Sequence, residues 1–385
     1  MKSKNKIEQI FSNGANKRAF LIKSPAFITY LTGVSFPYPY QSPFLIALVG
    51  NGSDGQSTLI IPVEWDGIVN EWNGKVLTYS VNDGGPGGAY LKKVIETLES
   101  CSDFKQSLSL DYESWTVREI KALQQKYPKL KITNCSDEIN LARMIKNEKE
   151  IENLRQAAII ADRGLIGAFN HVEGTVTTVC YTLSEFLERV RVHAIEFGAN
   201  WVGDLNLSQG KDGSAWYTPI TDFSVVEEGN MIRINYSLSV NGYWCVSNRT
   251  VFAGNPGKED LAAYQANQKL VKYAESLLKA DVKISTFCSK VQQQAEKEEI
   301  QLLADFGMGH GVGTSEYEMP FLTIDNSETL KEGMVISMGL KTLGKMNEII
   351  ISSDIYLIKS DGYEKLSDFV NWDDIYLING VRFTH

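Results

Sequence analysis

From residue 141 to its C-terminus the chain runs through one order of elements twice: two helical stretches, then a pair of strands. Leu141 to Phe169 sets Ile151, Leu154, Ala158, Ala161 and Leu165 on one face of a long helix. A second helix spans Thr182 to Phe197, with Gly198 as its terminator. Strands follow at Met231–Tyr236 and Tyr243–Phe252, and Asn241-Gly242 supplies the turn between them. Helices at 259–279 and 286–300 then lead to strands at Met334–Leu340 and Glu348–Ile358. This order suggests an internally duplicated α+β domain. The residue-level repeat is weak, so the order of elements carries the reading.

The first 140 residues read differently, as short strands alternating with loops and helices. Ala19-Phe20-Leu21-Ile22 is a buried strand, and Phe44–Val49 and Thr58–Pro62 are two more around the polar loop Gly50–Ser57. Ala89 to Leu98 has helical spacing. Gly84-Gly85-Pro86-Gly87-Gly88 reads as a plain loop, because the Pro and the lack of a following Gly-Lys-Ser/Thr argue against a phosphate cradle. Two domains are therefore expected, 1–140 and 141–385.

Composition excludes several functions. A net charge of −9 opposes general binding to nucleic acid or anionic membranes. Five scattered cysteines (Cys101, Cys135, Cys180, Cys245, Cys288) form no CxxC pair and suit a reducing compartment. The basic start Met1-Lys2-Ser3-Lys4-Asn5-Lys6 has no apolar run behind it, and no stretch reaches the ~18 apolar residues of a membrane span. A cytoplasmic protein is expected.

The remaining signals are short and ordered. They are Ser24–Gly33, Lys146–Arg155, Glu228-Gly229 through Asn235, Asn241-Gly242-Tyr243, Arg249-Thr250, Gly309-His310-Gly311-Val312-Gly313, Gly333-Met334-Val335 and Asp361-Gly362. In this order the chain resembles the creatinase/aminopeptidase P family, which includes the prolidases, and more distantly the methionine aminopeptidases. The resemblance implies a pita-bread C-terminal domain, a curved antiparallel sheet backed by helices, behind a smaller α/β creatinase-type N-terminal domain. It also implies a homodimer.

That family holds two metals with two Asp, one His and two Glu. Aligned on the motifs, the His is His310, and the carboxylate positions hold Asn235, Val246, Gly339 and Ser353. Asp354 is adjacent to the last, but a one-residue shift on a strand faces the other way. Two divalent cations need several anionic oxygens, so a metal-free protein without cofactor is expected. Of the other histidines, His193 is read as a packed core residue on the Phe186/Val190/Phe197 face, His171 as lying near a helix end, and His385 is the terminus. The family's substrate-handling histidines correspond to Trp216, in Trp216-Tyr217, and to Tyr317. The creatinase histidine also falls at Trp216, so that mechanism does not carry over intact.

What remains is His310 as general acid or base, with Glu316 and Glu318 as residues that could orient it. The candidate pocket adds Trp216, Tyr217, Asn235, Ser237, Val246, Tyr317, Gly339 and Ser353, while Cys245 should point away. Such a pocket is less polar and more aromatic than the family's, suited to a small ligand or short peptide. A side chain introduced at Gly339 would be expected to meet Trp216 or Tyr317. Two functions stand side by side. One is a metal-independent, creatinase-like enzyme acting on a small nitrogenous substrate. The other is a catalytically inactive pseudo-peptidase that binds a peptide, protein or small molecule.

Overall fold

The computed structural model describes residues 6–11, 18–36, 45–52, 55–69, 72–80, 82, 85–105, 107–175, 181–210, 214–217 and 224–379. Phe44, Gly84, Cys180, His385 and the basic start up to Asn5 lie outside them. The chain divides into two compact units, Met1–Arg143 and Met144–His385.

The first unit contains, in chain order, α1 (Lys6–Phe11), β1 (Ala19–Ile22), α2 (Pro25–Thr32), β2 (Ala47–Asn51), β3 (Ser57–Pro62), β4 (Lys75–Tyr79), α3 (Gly85–Ser100), β5 (Ser107–Leu110), α4 (Val117–Lys126), β6 (Lys131–Asn134) and the start of α5 (Ser136–Met144). Its strands form one mixed sheet, ordered β4-β3-β2-β1-β5-β6. β1 is apolar throughout because both faces are covered. Phe20 and Ile22 join one core with Phe27 and Ile28, and Ala19 and Leu21 join the other with Tyr90 and Val94. The glycine-rich stretch differs from its expected loop. Gly85 to Gly88 belong to α3, and the fixed φ of Pro86 suits a first helical turn.

The second unit follows with α6 (Glu148–Thr175), α7 (Leu183–Glu196), β7 (Trp201–Gln209), β8 (Met231–Val240), β9 (Tyr243–Val246), β10 (Arg249–Ala253), α8 (Lys258–Leu277) and α9 (Ile284–Lys297). Then come β11 (Gly309–Gly311), β12 (Glu318–Phe321), β13 (Val335–Gly339), β14 (Thr342–Leu343), β15 (Ile349–Ile350), β16 (Ser353–Ile358), β17 (Tyr363–Lys365) and β18 (Tyr376–Ile378). One sheet is ordered β18-β10-β8-β7 with β9 also on β8, and the other β12-β11-β13-β16-β17. Leu154, Leu165, Phe186 and Val190 of α6 and α7 pack with Ile234 and Tyr236 of the first sheet. Leu270 and Val291 of α8 and α9 pack with Ile336, Met338 and Tyr356 of the second. Two helices on a mainly antiparallel sheet therefore occur twice, with β18 alone parallel to its neighbour β10, and the fold is the pita bread. The sheets meet where Ser353 N donates to Asn248 O (2.9 Å) and Asn248 N donates to Ser353 Oγ (2.7 Å).

Three expectations change here. The long helix expected from Leu141 is two helices. Between them Lys146 N donates to Gly333 O, Ile145 bridges Met334, and Asn147 with Glu150 caps the start of α6 reciprocally. The strand expected over Tyr243–Phe252 breaks at Ser247-Asn248 into β9 and β10. His193 is half-buried and sits 2.9 Å from Glu196, rather than in the core. Among the described residues, no helix is long and apolar enough to cross a membrane.

Candidate functional site

Three glycines explain the local backbone around His310. A Cβ at Gly309 would lie 2.2 Å from Ser337 O, and one at Gly311 2.2 Å from Met319 O. At Gly313 it would lie 2.7 Å from the Glu318 carboxylate. The strand is thus pressed between β13 and the β12 segment, and only glycine fits at these points. His310 is opposite Ser337 on β13. Its Nδ1 lies 2.9 Å from Gly311 O. A carbonyl only accepts, so Nδ1 carries the hydrogen and Nε2 of the neutral ring is the unprotonated nitrogen. Burial lowers the pKa of His310, the Gly311 contact opposes this, and Lys341 lowers it further. The ring lies 4.3 Å from that of Tyr317.

His310 lines a cavity of about 290 Å³. Along β13 and its continuation every second residue contributes: Ser337, Gly339 and Lys341. Val246 and Asn248 come from the other sheet, and Ile351 and Ser353 from the approach to β16. Trp216, Tyr317 and Phe321 are its aromatic wall. Burial, with Arg233 nearby, pulls the Lys341 pKa down to about 8. Its ammonium is 4.9 Å from the Trp216 ring, and the Arg233 guanidinium is 5.1 Å from the same ring. Arg233 also donates to the Ala215 and Trp216 carbonyls, at 2.6 and 2.9 Å.

Of the residues singled out in the sequence, Trp216, Val246, His310, Tyr317, Gly339 and Ser353 therefore share one cavity. The others lie outside its lining. Asn235 is fully buried beside it: Nδ2 donates to Trp216 O (3.0 Å), and Oδ1 has no partner among the described residues. Ser237 Oγ accepts from Asp204 N (2.7 Å) and bonds Glu316. Tyr217 is exposed and donates to Asp204 Oδ2 (3.1 Å). Burial, with a contribution from Asp204, raises the Glu316 pKa to about 7.

Glu318 forms a buried ion pair with Lys146 (2.9 Å) and accepts from Ser315 N (3.0 Å). The expectation that Glu316 or Glu318 orients His310 is corrected here. The structure gives neither a hydrogen bond to the imidazole, and the Gly311 carbonyl holds the ring instead. Cys245 packs in the core and Asp354 is held by Arg249 (2.5 Å) and Lys365 (2.6 Å), so neither enters the cavity. Sequence reasoning missed Lys341, Arg233 and Asp204. The signal for the first two was alternation: Lys341 is two residues past Gly339, and Arg233 two before Asn235.

Residues 152–384 match metallopeptidase family M24, and residues 13–145 match the creatinase/prolidase N-terminal domain. The chain belongs to metallopeptidase family M24. It is 24% identical over 386 residues to an uncharacterised peptidase of Staphylococcus haemolyticus, covering 95% of this chain and 99% of that one. It is 22% identical over 367 residues to a Xaa-Pro dipeptidase of Pyrococcus furiosus, covering 94% and 96%. In structure it is similar to a prolidase from Thermococcus sibiricus, with a TM-score of 0.79, 21% identity, and 98% and 99% of the two chains covered. The N-terminal domain of the FACT complex subunit SPT16 from Cicer arietinum shares the fold at a TM-score of 0.68 and 14% identity, covering 93% of each chain.

Membership in M24 implies a pair of metal ions. The described residues at this M24 site do not fit them. Among the described residues the cavity is lined by an ammonium, an imidazole, the Asn248 amide, hydroxyls and apolar side chains, and the one carboxylate among them, Asp305, is exposed. Among the described residues no three His, Cys, Asp or Glu side chains are grouped to hold a metal. A lysine in the wall repels a second cation rather than offsetting it.

Proposed function

We propose that this M24 chain is a metal-independent, creatinase-like enzyme that acts on the carbon–nitrogen bond of a small nitrogenous substrate. The observation that carries the reading is the His310 imidazole. It is held by Gly311 O with Nε2 unprotonated, at the wall of a small cavity, and its pKa is lowered so that it is neutral at pH 7. A neutral imidazole in that tautomer is a general base. It takes a proton from water as the water oxygen adds to the substrate carbon. The resulting imidazolium then returns a proton to the departing nitrogen. Lys341 stabilises negative charge that develops on the substrate. Tyr317, tilted against the ring, covers one side of it.

The test is a screen of small amides, guanidino compounds and cyclic amidines with wild type and His310→Ala. Turnover should be insensitive to chelators and fall by roughly 10²–10⁴-fold in the variant, the usual size of an acid–base contribution. Turnover that survives His310→Ala, or that a chelator abolishes, would refute it.

A second reading is a pseudo-peptidase that binds a peptide or protein. The fold shared with a subunit of the FACT complex favours it. No turnover on any substrate, with a protein or peptide partner recovered by pull-down, would decide for this reading.

A further inference from the structure

The bend at residues 313–317 stands at one side of the His310 cavity, and its ends are fixed differently from its tip. At one end Trp244 N donates to Gly313 O (2.8 Å). At the other Glu318 is paired with Lys146 (2.9 Å) and accepts from Ser315 N (3.0 Å). The tip is Glu316-Tyr317, and its contacts reach across to the first sheet. Glu316 bonds Ser237 on β8, and the Tyr317 hydroxyl bonds that of Tyr217. Tyr217 donates to Asp204 Oδ2 (3.1 Å), so Tyr317 is the donor to the Tyr217 oxygen. Tyr317 lines the cavity with its ring 4.3 Å from that of His310, yet it is also exposed to solvent.

Glu316 is held in a place that suits a neutral carboxyl. Its Oε1 is sealed from solvent with no hydrogen-bond partner among the described residues, and the charged group that acts on it is a second carboxylate, Asp204 of β7. Tyr217 and Tyr317 both respond to the charge of Glu316. Arg233 offsets Asp204, while Lys341 and Glu318 act on His310. A charge formed at Glu316 is therefore better placed in water than where the side chain lies.

We propose that Glu316 and Tyr217 latch this bend over His310, and that the latch opens when Glu316 ionises, so that rising pH uncovers the cavity. The proposal rests on the reading of this cavity as the ligand site and gives that site its regulation. On loss of its proton the carboxylate turns to solvent between the fixed ends of the bend and draws Tyr317 off the imidazole. Glu316 and Tyr217 are positioning residues, because they act through Tyr317. The pKa of Glu316 is about 7 in place and 4.5 in water. By linkage the open form gains roughly tenfold between pH 6 and pH 8, and little above that.

The experiment follows carbethoxylation of His310 by diethyl pyrocarbonate, a reagent that takes the unprotonated imidazole nitrogen, from pH 6 to pH 8.5. Wild type, Glu316→Gln and Tyr217→Phe are compared. Mass spectrometry of the peptide that carries His310 separates it from the other histidines. The titration of His310 and the hydrolysis of the reagent are common to all three proteins, so ratios of rates cancel them. The ratio of wild type to Glu316→Gln should rise about tenfold from pH 6 to pH 8, because the amide cannot ionise. Tyr217→Phe loses one of the two ties. It should react about threefold or more faster than wild type at pH 6 and keep the rise with pH. It also tests the latch should Glu316→Gln fail to fold.

A ratio of wild type to Glu316→Gln that does not change with pH overturns the proposal. So does a Tyr217→Phe that reacts no faster than wild type at pH 6, or a His310 that stays unmodified at pH 8.5. The readout is access rather than turnover. A pH-dependent ratio in a protein with no turnover on any substrate would leave the latch standing while removing the proposed reaction. Turnover lost in His310→Ala, beside a constant ratio, would do the reverse.

Discussion

Gly339 and Ser353 face each other across β13 and β16. A Cβ at 339 would lie 2.5 Å from Ser353 Cβ and 3.2 Å from Ile351 Cδ1. The side chain expected to meet Trp216 or Tyr317 meets the opposite strand first. Gly339→Ala should therefore destabilise the protein by about 1–3 kcal/mol. Adding Ser353→Gly should recover part of that, because the two positions are in contact. Urea denaturation of the single and double variants measures both, and an unchanged midpoint in Gly339→Ala would mean that β16 retreats freely.

Glu316 makes a second prediction. Its folded pKa, about 7, lies above its ordinary 4.5. Its contribution to stability is present in full below pH 4.5 and is lost as pH rises through 7. Glu316→Gln should flatten that part of the pH–stability profile, by on the order of 1–2 kcal/mol. Unfolding at pH 4.5 and 7.5 tests it, and an equal slope in both proteins would show that Glu316 is not the group responsible. At this scale the sequence pointed to His310, Gly339 and Ser353 through motif and spacing. It did not single out Lys341, because the alternation that reaches it runs past Gly339, where β13 itself ends.

Elements were legible where a single physical rule governed them. α7 begins with a Thr182/Glu185 capping box and ends at Gly198 with φ 112°, both visible as residue types. β1 was legible as an apolar run because two cores cover it. Elements shaped by distant partners were not. The break between β9 and β10 depends on Asn248 turning to Ser353, and an apolar run gives no warning of that. β7 pairs with β8 through a register shift between Val202 and Leu205, which spoils its alternation. The gap between α5 and α6 follows from a backbone bond to Gly333, far along the chain.

Taken whole, the second unit is two similar halves tied by a charge. Arg249 belongs to the first sheet, yet it donates to the Ser353 carbonyl and to Asp354 in the second, and lies 3.5 Å from Asp162 on α6. Asp162 also accepts from Trp372 Nε1 at 3.0 Å and from Ser367 Oγ. Arg249→Met would leave two carboxylates buried without their common cation. The expected cost is about 3–5 kcal/mol, read by chemical denaturation. A loss below about 1 kcal/mol would place this pair with exposed, weakly coupled ones. The duplicated order of elements was readable from residue 141 onward. The tie between the halves was not, because its members are about a hundred residues apart in sequence and each looks like an ordinary surface charge.

Trp216 gives this arrangement an optical consequence. Two cationic side chains lie about 5 Å from its ring. The indole's excited state has a different dipole from its ground state, so the colour and brightness of its emission depend on the local electric field. A change of charge or solvation beside Lys341 changes that field at once. The chain has seven tryptophans, and the difference between wild type and Trp216→Phe isolates the signal of this one. The protein thus contains its own dye, placed where a change in this cavity alters the light it gives off.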